Sequence, residues 1–239
     1  MQNLNKVRLK NKGMKITRNQ DRGTTKTGWL ESFHSFSFAN YYDPNRLNFG
    51  ALRVVNDDII KPGQGFSMHK HDNMEIITVL LKGKLRHEDS TENGFVLSPG
   101  DIQVMSAGTG IEHSEFNNSQ SEDCELLQIW ISPREEGIKP KYEYKTFKQE
   151  GAQIIASGYK NLGGLHIHQK AVVALMHGKT IKYTRSNPEF GVFAMMIEGE
   201  GKVGNETLHK KDSIELIGDL EITSENQCKV LIIEVPMSS

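Results

Sequence analysis

Two short stretches of the chain carry side chains that could bind a metal ion. The first contains His69 and His71, and the second contains His113 and Glu115. One residue separates the members of each pair, so on a β-strand both side chains face the same way, about 6.6 Å apart along the strand. If the two strands lie side by side, three imidazoles and one carboxylate converge. Such a set suits a divalent transition metal, because imidazole binds Fe, Ni, Cu and Zn alike and one carboxylate lowers the net charge of the site.

Four protein ligands predict a catalytic metal rather than a structural one. A metal that prefers six ligands keeps two positions open, and an open position distinguishes catalytic sites from closed structural sites. A single H-x-H motif is more often a pair of surface histidines, but here a second pair of matching spacing follows. Pro62-Gly63 and Gly100 precede the two pairs, as turns between short strands require.

The segments around these pairs have the pattern of a β protein. From Trp29 to Trp130 short apolar runs alternate with turn residues, which is typical of a sandwich or closed barrel. A hydrophobic content of 36% over 239 residues is enough for a sizeable core. These segments are therefore predicted to be strands that hold the four side chains.

The second half of the chain repeats the first in outline. Leu80–Lys84 corresponds to Met196–Glu200, and Cys124–Ile131 corresponds to Cys228–Val235. Self-similarity at this scale predicts tandem copies of one structural unit. Charged residues with Pro133, Gly137 and Pro140 mark the linker.

The second copy lacks the metal-binding pattern. Counting from the shared glycine and aspartate places Arg185 and Asn187 where the first copy has His69 and His71, and Ser224 where it has His113. No second pair matches His166-x-His168, so we interpret those two histidines as structural. The remaining histidines have no spacing partner and are interpreted as surface or core residues: His34, His87, His177 and His209.

Composition excludes several other function classes. A net charge of -1 and a pI of about 6.8 argue against binding to nucleic acid or an anionic membrane. Residues 1–28 carry eight Lys or Arg residues against Asp21 alone, which we interpret as a solvated edge strand.

No signal peptide or membrane span is visible, and two cysteines, Cys124 and Cys228, do not form a disulfide scaffold. We expect a cytoplasmic protein.

The two metal-binding stretches resemble cupin motifs, and their departures from the cupin pattern resemble the pirin family. Gly63 with His69-x-His71-x-x-x-Glu75 is similar to the first cupin motif, and Gly100 with His113 to the second. MSAGTGIEHSE, at residues 105–115, looks like the pirin signature. Further matching segments are Gly28–Leu30, Phe33–Phe38, Tyr41–Pro44, Phe49–Val54 and Asn56–Asp58.

The resemblance implies an all-β fold of two tandem cupin barrels, each a double-stranded β-helix or jelly roll. We expect an N-terminal extension at residues 1–13, a metal-binding cupin domain at 14–140 and a cupin domain without a metal site at 141–239.

Two glutamates compete for the fourth ligand position. The general cupin pattern favours Glu75, whereas the pirin pattern implies Glu115. We assign Glu115 to the metal with His69, His71 and His113, and expect Glu75 to accept a hydrogen bond from a ligand imidazole. The expected metal is Fe(II), with Ni, Mn, Cu, Zn and Co as alternatives.

The resemblance also implies an activity. Bacterial pirin-like proteins are associated with quercetin 2,3-dioxygenase activity, in which a flavonol and O₂ react and carbon monoxide is released. By that resemblance Glu115 acts as the general base toward the flavonol 3-hydroxyl. The alternative belongs to another class, a metal-containing module that binds and modulates a protein partner, as pirins of higher organisms modulate transcription factors. We expect a monomer in either case.

Overall fold

The computed structural model describes residues 13–91, 94–148 and 150–238. The expected N-terminal extension thus lies outside the described residues, apart from Gly13. The described chain is almost entirely β-structure, with one turn of 3₁₀ helix at Asn19–Asp21. None of its described helices is long and apolar enough to cross a membrane.

Twenty strands are formed by the described residues. In chain order they are Met14–Thr17 (β1), Gly23–Lys26 (β2), Leu30–His34 (β3), Leu52–Ile60 (β4), Gly65–His71 (β5), Glu75–Lys82 (β6), Leu85–Asp89 (β7), Gly94–Leu97 (β8), Asp101–Ser106 (β9), Ile111–Asn117 (β10), Cys124–Ile131 (β11), Lys141–Thr146 (β12), Ala152–Ser157 (β13), Leu165–His166 (β14), Val172–Tyr183 (β15), Phe190–Glu198 (β16), Gly201–Val203 (β17), Glu206–Leu208 (β18), Ser213–Leu216 (β19) and Leu220–Pro236 (β20).

The strands form two barrels, which confirms the predicted fold class. A seven-stranded sheet, in the order β12-β9-β6-β11-β4-β3-β2, and a four-stranded sheet, in the order β5-β10-β7-β8, make the first barrel. One nine-stranded sheet makes the second, along the path β1-β19-β16-β20-β15-β13-β14 with β17 and β18 attached to it. In the second barrel the strands β15 and β20 are long, and each takes the place of two shorter strands of the first barrel.

Sheet pairing crosses the expected domain boundary at both ends. Strand β1 pairs with β19 of the second barrel, and β12 pairs with β9 of the first. The predicted edge strand in the basic N-terminal region is therefore present at Met14–Thr17, but it lies on the second barrel. The division at residue 140 stays a prediction, and these two strands tie the halves together.

Strand periodicity explains how one strand serves two environments. On β11, Leu127, Ile129 and Ile131 join a buried cluster that includes Phe193 and other residues of the second barrel. The alternate residues Gln128 and Trp130 line a cavity inside the first barrel. Because successive side chains point to opposite faces, the same strand builds the core between the barrels and the wall of the cavity.

Equivalent glycines close the same turn in both barrels. Gly83 and Gly199 have positive φ angles of 80° and 78°. A Cβ atom on Gly83 would lie 2.7 Å from the carbonyl oxygen of Asp123, and one on Gly199 would lie 3.1 Å from that of Gln227. The turn therefore requires glycine in each copy, as the sequence repeat predicts.

Candidate metal centre

Strands β5 and β10 bring the three predicted imidazoles together. The strands are antiparallel, with His113 opposite His69 and Ile111 opposite His71. Ring centroids are 4.7 Å apart for His69 and His71, 4.4 Å for His69 and His113, and 4.9 Å for His71 and His113. One ligand atom from each of the three lies within 4.8 Å of the others. This is the convergence that the spacing predicted.

The protonation of these imidazoles suits metal binding. Nδ1 of His69 lies 2.7 Å from the carbonyl oxygen of Ser67. A carbonyl only accepts, so Nδ1 donates this hydrogen bond and Nε2 is the ring nitrogen left to face a metal. Burial, with the nearby His69, lowers the pKa of His71 to about 4 and that of His113 to about 2. Both rings are therefore neutral at pH 7, the form that binds metals.

His113 has polar atoms that nothing in the described protein satisfies. Its side chain is 2% exposed, and both ring nitrogens are buried without a hydrogen-bond partner among the described residues. A buried polar group without a partner costs roughly 1–3 kcal/mol. A metal ion held by one of these nitrogens would remove part of that cost, so the residues present fit a transition metal.

Glu115 lies next to His113 but is turned toward a different set of groups. Its carboxylate accepts hydrogen bonds from the amides of Gln103, at 2.6 Å, and Gln128, and from the hydroxyl of Thr78 at 3.4 Å. Burial raises its pKa to about 7. Glu115 shares a ligand-atom cluster with His113 and His87, not with His69 and His71. All four predicted ligands line one cavity, but their ligand atoms fall into two groups that share only His113.

A bulge separates the two groups. The register between β10 and β5 shifts between His113, which faces His69, and Glu115, which faces Phe66. An extra residue on one strand re-aims the side chains that follow it, and such bulges recur next to active sites. Here the shift occurs between the two ligands predicted on β10.

His87 is a part of the site that the sequence did not reveal. It is fully buried on β7, its ring centroid lies 5.2 Å from that of His113, and its ring stacks on Tyr142 at 4.4 Å. Nε2 lies 3.3 Å from a carboxylate oxygen of Asp89, and Nδ1 is buried without a partner among the described residues. The alternation along β7 could have predicted its burial, because His87 follows the apolar Leu85 by two residues and so lies on the same face of the strand.

Glu75 does not have the role expected of it. The hydroxyl of Ser106 donates to its carboxylate at 2.7 Å, and no hydrogen bond to an imidazole is present among the described residues. The reason is its position, because β6 lies in the seven-stranded sheet and pairs Glu75 with Ser106 and Ile131, whereas His69, His71 and His113 lie on the four-stranded sheet. Burial raises the pKa of Glu75 to about 6.

A cavity of about 380 Å³ opens beside the imidazoles. Its apolar lining includes two aromatic edge-to-face pairs, Trp29 with Phe66 and Phe38 with Trp130, whose centroids are 5.1 and 5.4 Å apart. The ring of His71 packs edge to face against that of Trp130, with the two ring centroids 4.9 Å apart. This volume is in the range of pockets that hold small organic ligands.

One row of polar side chains crosses the seven-stranded sheet of this barrel. Strand register places one residue from each of five neighbouring strands side by side, and we call these residues the polar row: His34, Asn56, Gln128, Thr78 and Gln103. All five are buried. Gln128, Thr78 and Gln103 hold Glu115, whereas His34 and Asn56 line the cavity.

The second barrel has apolar residues at the same register positions. Its corresponding row is Ile154, Ala174, Ile232, Ala194 and Ile214, and all five belong to or pack against one hydrophobic cluster. Lys202 on β17 pairs with Thr223 as Arg86 on β7 pairs with Phe116. That register makes Ile222 the counterpart of Glu115 and Leu220 the counterpart of His113.

Counting along the sequence therefore selected the wrong residue on β20. Ser224 lies beyond these positions, because the segment from Asp101 to Glu115 is longer than the one from Asp212 to Ile222. Arg185 and Asn187 lie past the end of β15, where Arg185 donates to the backbone carbonyls of Pro188 and Phe190. His166 and His168 belong to neither ligand-atom cluster of the described residues.

Comparisons with known proteins agree with the resemblance seen in the sequence. The Pirin family model matches residues 15–131, and the model of the quercetinase C-terminal cupin domain matches residues 154–235. Quercetin 2,3-dioxygenase of Escherichia coli (strain K12) is 39% identical over 223 residues, 90% of this chain and 96% of that protein.

Solved structures give the same result. The bacterial pirin YhhW from Escherichia coli, in complex with nickel(II), is 37% identical with a TM-score of 0.89, covering 93% of this chain and 99% of that chain. Quercetin 2,3-dioxygenase from Acinetobacter baumannii has a TM-score of 0.75 at 20% identity, covering 95% of this chain and 87% of that chain, and shows the shared fold alone.

Proposed function

The chain belongs to the pirin family, and from this premise we propose that it is a metal-dependent dioxygenase that cleaves quercetin or a related flat enolic substrate. His69, His71, His113 and Glu115 hold one divalent transition metal in this proposal. The bound metal supplies a Lewis-acidic, redox-active centre for the enol oxygen and dioxygen. The overall reaction consumes one O₂ per flavonol and releases carbon monoxide as the heterocycle opens.

The buried imidazole of His113 is the observation that supports the proposal most strongly. A ring with two buried and unsatisfied nitrogens, beside two further imidazoles, is costly unless it binds something. His113 lines the cavity, so a small molecule in the cavity could lie beside it.

Glu115 is the residue that moves the substrate proton. The amides of Gln103 and Gln128 fix its carboxylate at the floor of the cavity. Burial of this carboxyl group favours its uptake of a proton, here from the enol. We infer that Glu115 takes the proton of the enolic hydroxyl and returns it to the product.

The cavity walls orient the substrate and exclude water. Trp29, Phe66, Phe38 and Trp130 offer ring faces and edges to a planar aromatic ligand. A flat ring held among them keeps its enol group directed to the imidazoles, which lowers the entropic cost of reaction.

The proposal has three further parts. We take Fe(II) as the native metal, a monomer as the functional form, and the cytoplasm as the location. Cys124 and Cys228 are both buried free thiols, which supports a reducing compartment.

Oxygen uptake tests the proposed function. Protein loaded separately with Fe, Mn, Ni or Cu is mixed with quercetin, and oxygen consumption and carbon monoxide release are measured. We expect both with at least one metal, and neither with the His69→Ala variant. No uptake with any enolic substrate and any metal, together with a metal-dependent protein partner in a pull-down, would favour the binding-module alternative.

A further inference from the structure

Two polar residues of the cavity have hydrogen-bonding groups that the protein leaves unused. Asn56 and Asp58 are each 3% exposed, line the cavity and lie two residues apart on β4. They therefore share one face of the strand, about 6.6 Å apart along it. Neither takes part in holding Glu115, unlike Gln128 next to Asn56 in the polar row.

The partners of Asn56 leave its amide nitrogen available. Its carbonyl oxygen lies 2.8 Å from Nδ1 of His34, and Nε2 of that ring lies 2.8 Å from the hydroxyl of Thr25. An amide oxygen only accepts, so Nδ1 donates to it and Nε2 accepts from Thr25. Within the described part of the chain, the amide N–H groups of Asn56 have no acceptor.

Asp58 presents the complementary group. One of its carboxylate oxygens accepts a hydrogen bond from the hydroxyl of Ser32, and the other has no donor within the described residues. No ion pair to Asp58 is present there either, because Arg22 and Lys211 both bind the neighbouring Asp57. Because Asp58 lines the cavity, this second oxygen is left for a ligand or water to complete its hydrogen bonds.

We propose that Asn56 and Asp58 form a subsite for a phenolic hydroxyl group, so that the preferred substrate is a flat aromatic enol with at least one further hydroxyl. A hydroxyl is suited to this site because it donates to Asp58 and accepts from Asn56 at the same time. A carboxylate or sulfate has no donor to offer Asp58, so it would fit this position less well. The inference rests on the proposed function for the identity of the enol, but the subsite itself can be tested by binding.

The test compares two flavonols that differ in their additional hydroxyls. Quercetin has four beyond the 3-hydroxyl, and 3-hydroxyflavone has none. Both are titrated anaerobically into nickel-loaded protein, with quenching of Trp29 and Trp130 fluorescence as the readout, since both indoles line the cavity. We expect wild-type protein to bind quercetin on the order of 10- to 100-fold more tightly, because 3-hydroxyflavone leaves the buried polar groups of the subsite without a partner.

Two variants remove one half of the subsite each. Asp58→Ala deletes the acceptor, and Asn56→Asp keeps the oxygen that binds His34 while replacing the donor. In each variant the affinities for quercetin and 3-hydroxyflavone should differ by no more than about 3-fold. The affinity for 3-hydroxyflavone should itself stay within about 3-fold of the wild-type value. Glu88→Ala, at an exposed carboxylate on β7, is the matched control and should keep the full preference. Asp58→Leu, which also removes the acceptor but keeps more of the side-chain volume, replaces Asp58→Ala if the latter does not fold.

Several results would overturn the subsite. They are equal binding of both flavonols to wild-type protein, no binding of either, a preference that persists in both variants, or an equal loss of both ligands in each variant. Oxygen uptake by the iron-loaded protein keeps the two proposals apart. Turnover without a binding preference rejects the subsite and leaves the proposed function, whereas a binding preference without turnover on any metal does the reverse.

Discussion

The two barrels share a strand plan and differ in what fills them. Across the same five strand positions the first has the polar row, with Gln128 at its centre, and the second has aliphatic residues, with Ile232 at its centre. Glu115, which the polar row holds, has Ile222 as its counterpart. Aliphatic packing fills the second barrel, whereas the first keeps a cavity with buried polar groups.

This difference separates stability from function within one fold. Buried polar groups stabilise little and cost much when they are unsatisfied. The first barrel tolerates them because a large apolar core lies between the two barrels, to which both contribute. We infer that the second barrel supplies packing, and that the chemistry is confined to the first.

Replacing the central imidazole should have the largest effect on this contrast. His113→Ala removes the residue common to both ligand-atom groups, so metal content should fall from about one ion per chain to a small fraction of that. His168→Ala, in the H-x-H motif of the second half, is the matched control and should keep its metal. Elemental analysis of both purified variants decides. Equal metal content in the two would contradict the assignment.

The second-largest effect should be the difference between substitutions at the two glutamates, Glu115 and Glu75. Glu115→Gln should lower metal affinity or activity by more than about 10- to 100-fold, the usual cost of losing a group that only orients a ligand. Glu75→Gln should cost less, because Ser106 is its hydrogen-bond partner and β6 lies in the other sheet. Metal competition titrations measure both. The reverse order would show that the general cupin pattern governs this site.

Substituting the central residue of each row should lower metal affinity in the first barrel and stability in the second. Gln128→Leu removes a donor to Glu115 and should lower metal affinity about 10- to 100-fold. Ile232→Gln buries an amide in an aliphatic cluster and should lower the free energy of unfolding by roughly 3 kcal/mol or more, with the metal retained. Denaturant unfolding and metal titration are measured for both. A similar profile for the two variants would remove the distinction between the barrels.

The smallest effect is expected at Thr78. Its hydroxyl lies 3.4 Å from Glu115, farther than the amide of Gln103 at 2.6 Å. Thr78→Val keeps the shape of the side chain, so we expect a change of about 1 kcal/mol in unfolding free energy and about 3-fold or less in metal affinity. A loss as large as that of Gln128→Leu would mean that the weaker contact also orients the carboxylate.

The sequence reveals what depends on local spacing. His69 with His71, and His113 with Glu115, are i, i+2 pairs whose common face follows from strand geometry alone. The glycine turns at Gly83 and Gly199 follow from a repeat that can be read by inspection. The family resemblance adds the barrel fold, which the structure confirms.

The polar row depends on long-range pairing and could not be read in this way. Its members come from five strands separated by intervening loops, and their alignment is set by registers between strands distant in sequence. The same limit explains His87, which has no spacing partner, and Ser224, which a count along the chain selected although strand pairing selects Ile222 and Leu220.

Anomalous diffraction from crystals soaked in excess nickel tests the central claim most directly, because it locates every metal site in both barrels at once. We expect one peak, bonded to nitrogens of His69, His71 and His113 at about 2.0–2.2 Å and to an oxygen of Glu115 at a similar distance. The second barrel should show none near Leu220 and Ile222, nor near Tyr183, which pairs with Leu220 as His69 pairs with His113. A peak there, or one bonded to His87 in place of His69 and His71, would contradict this account.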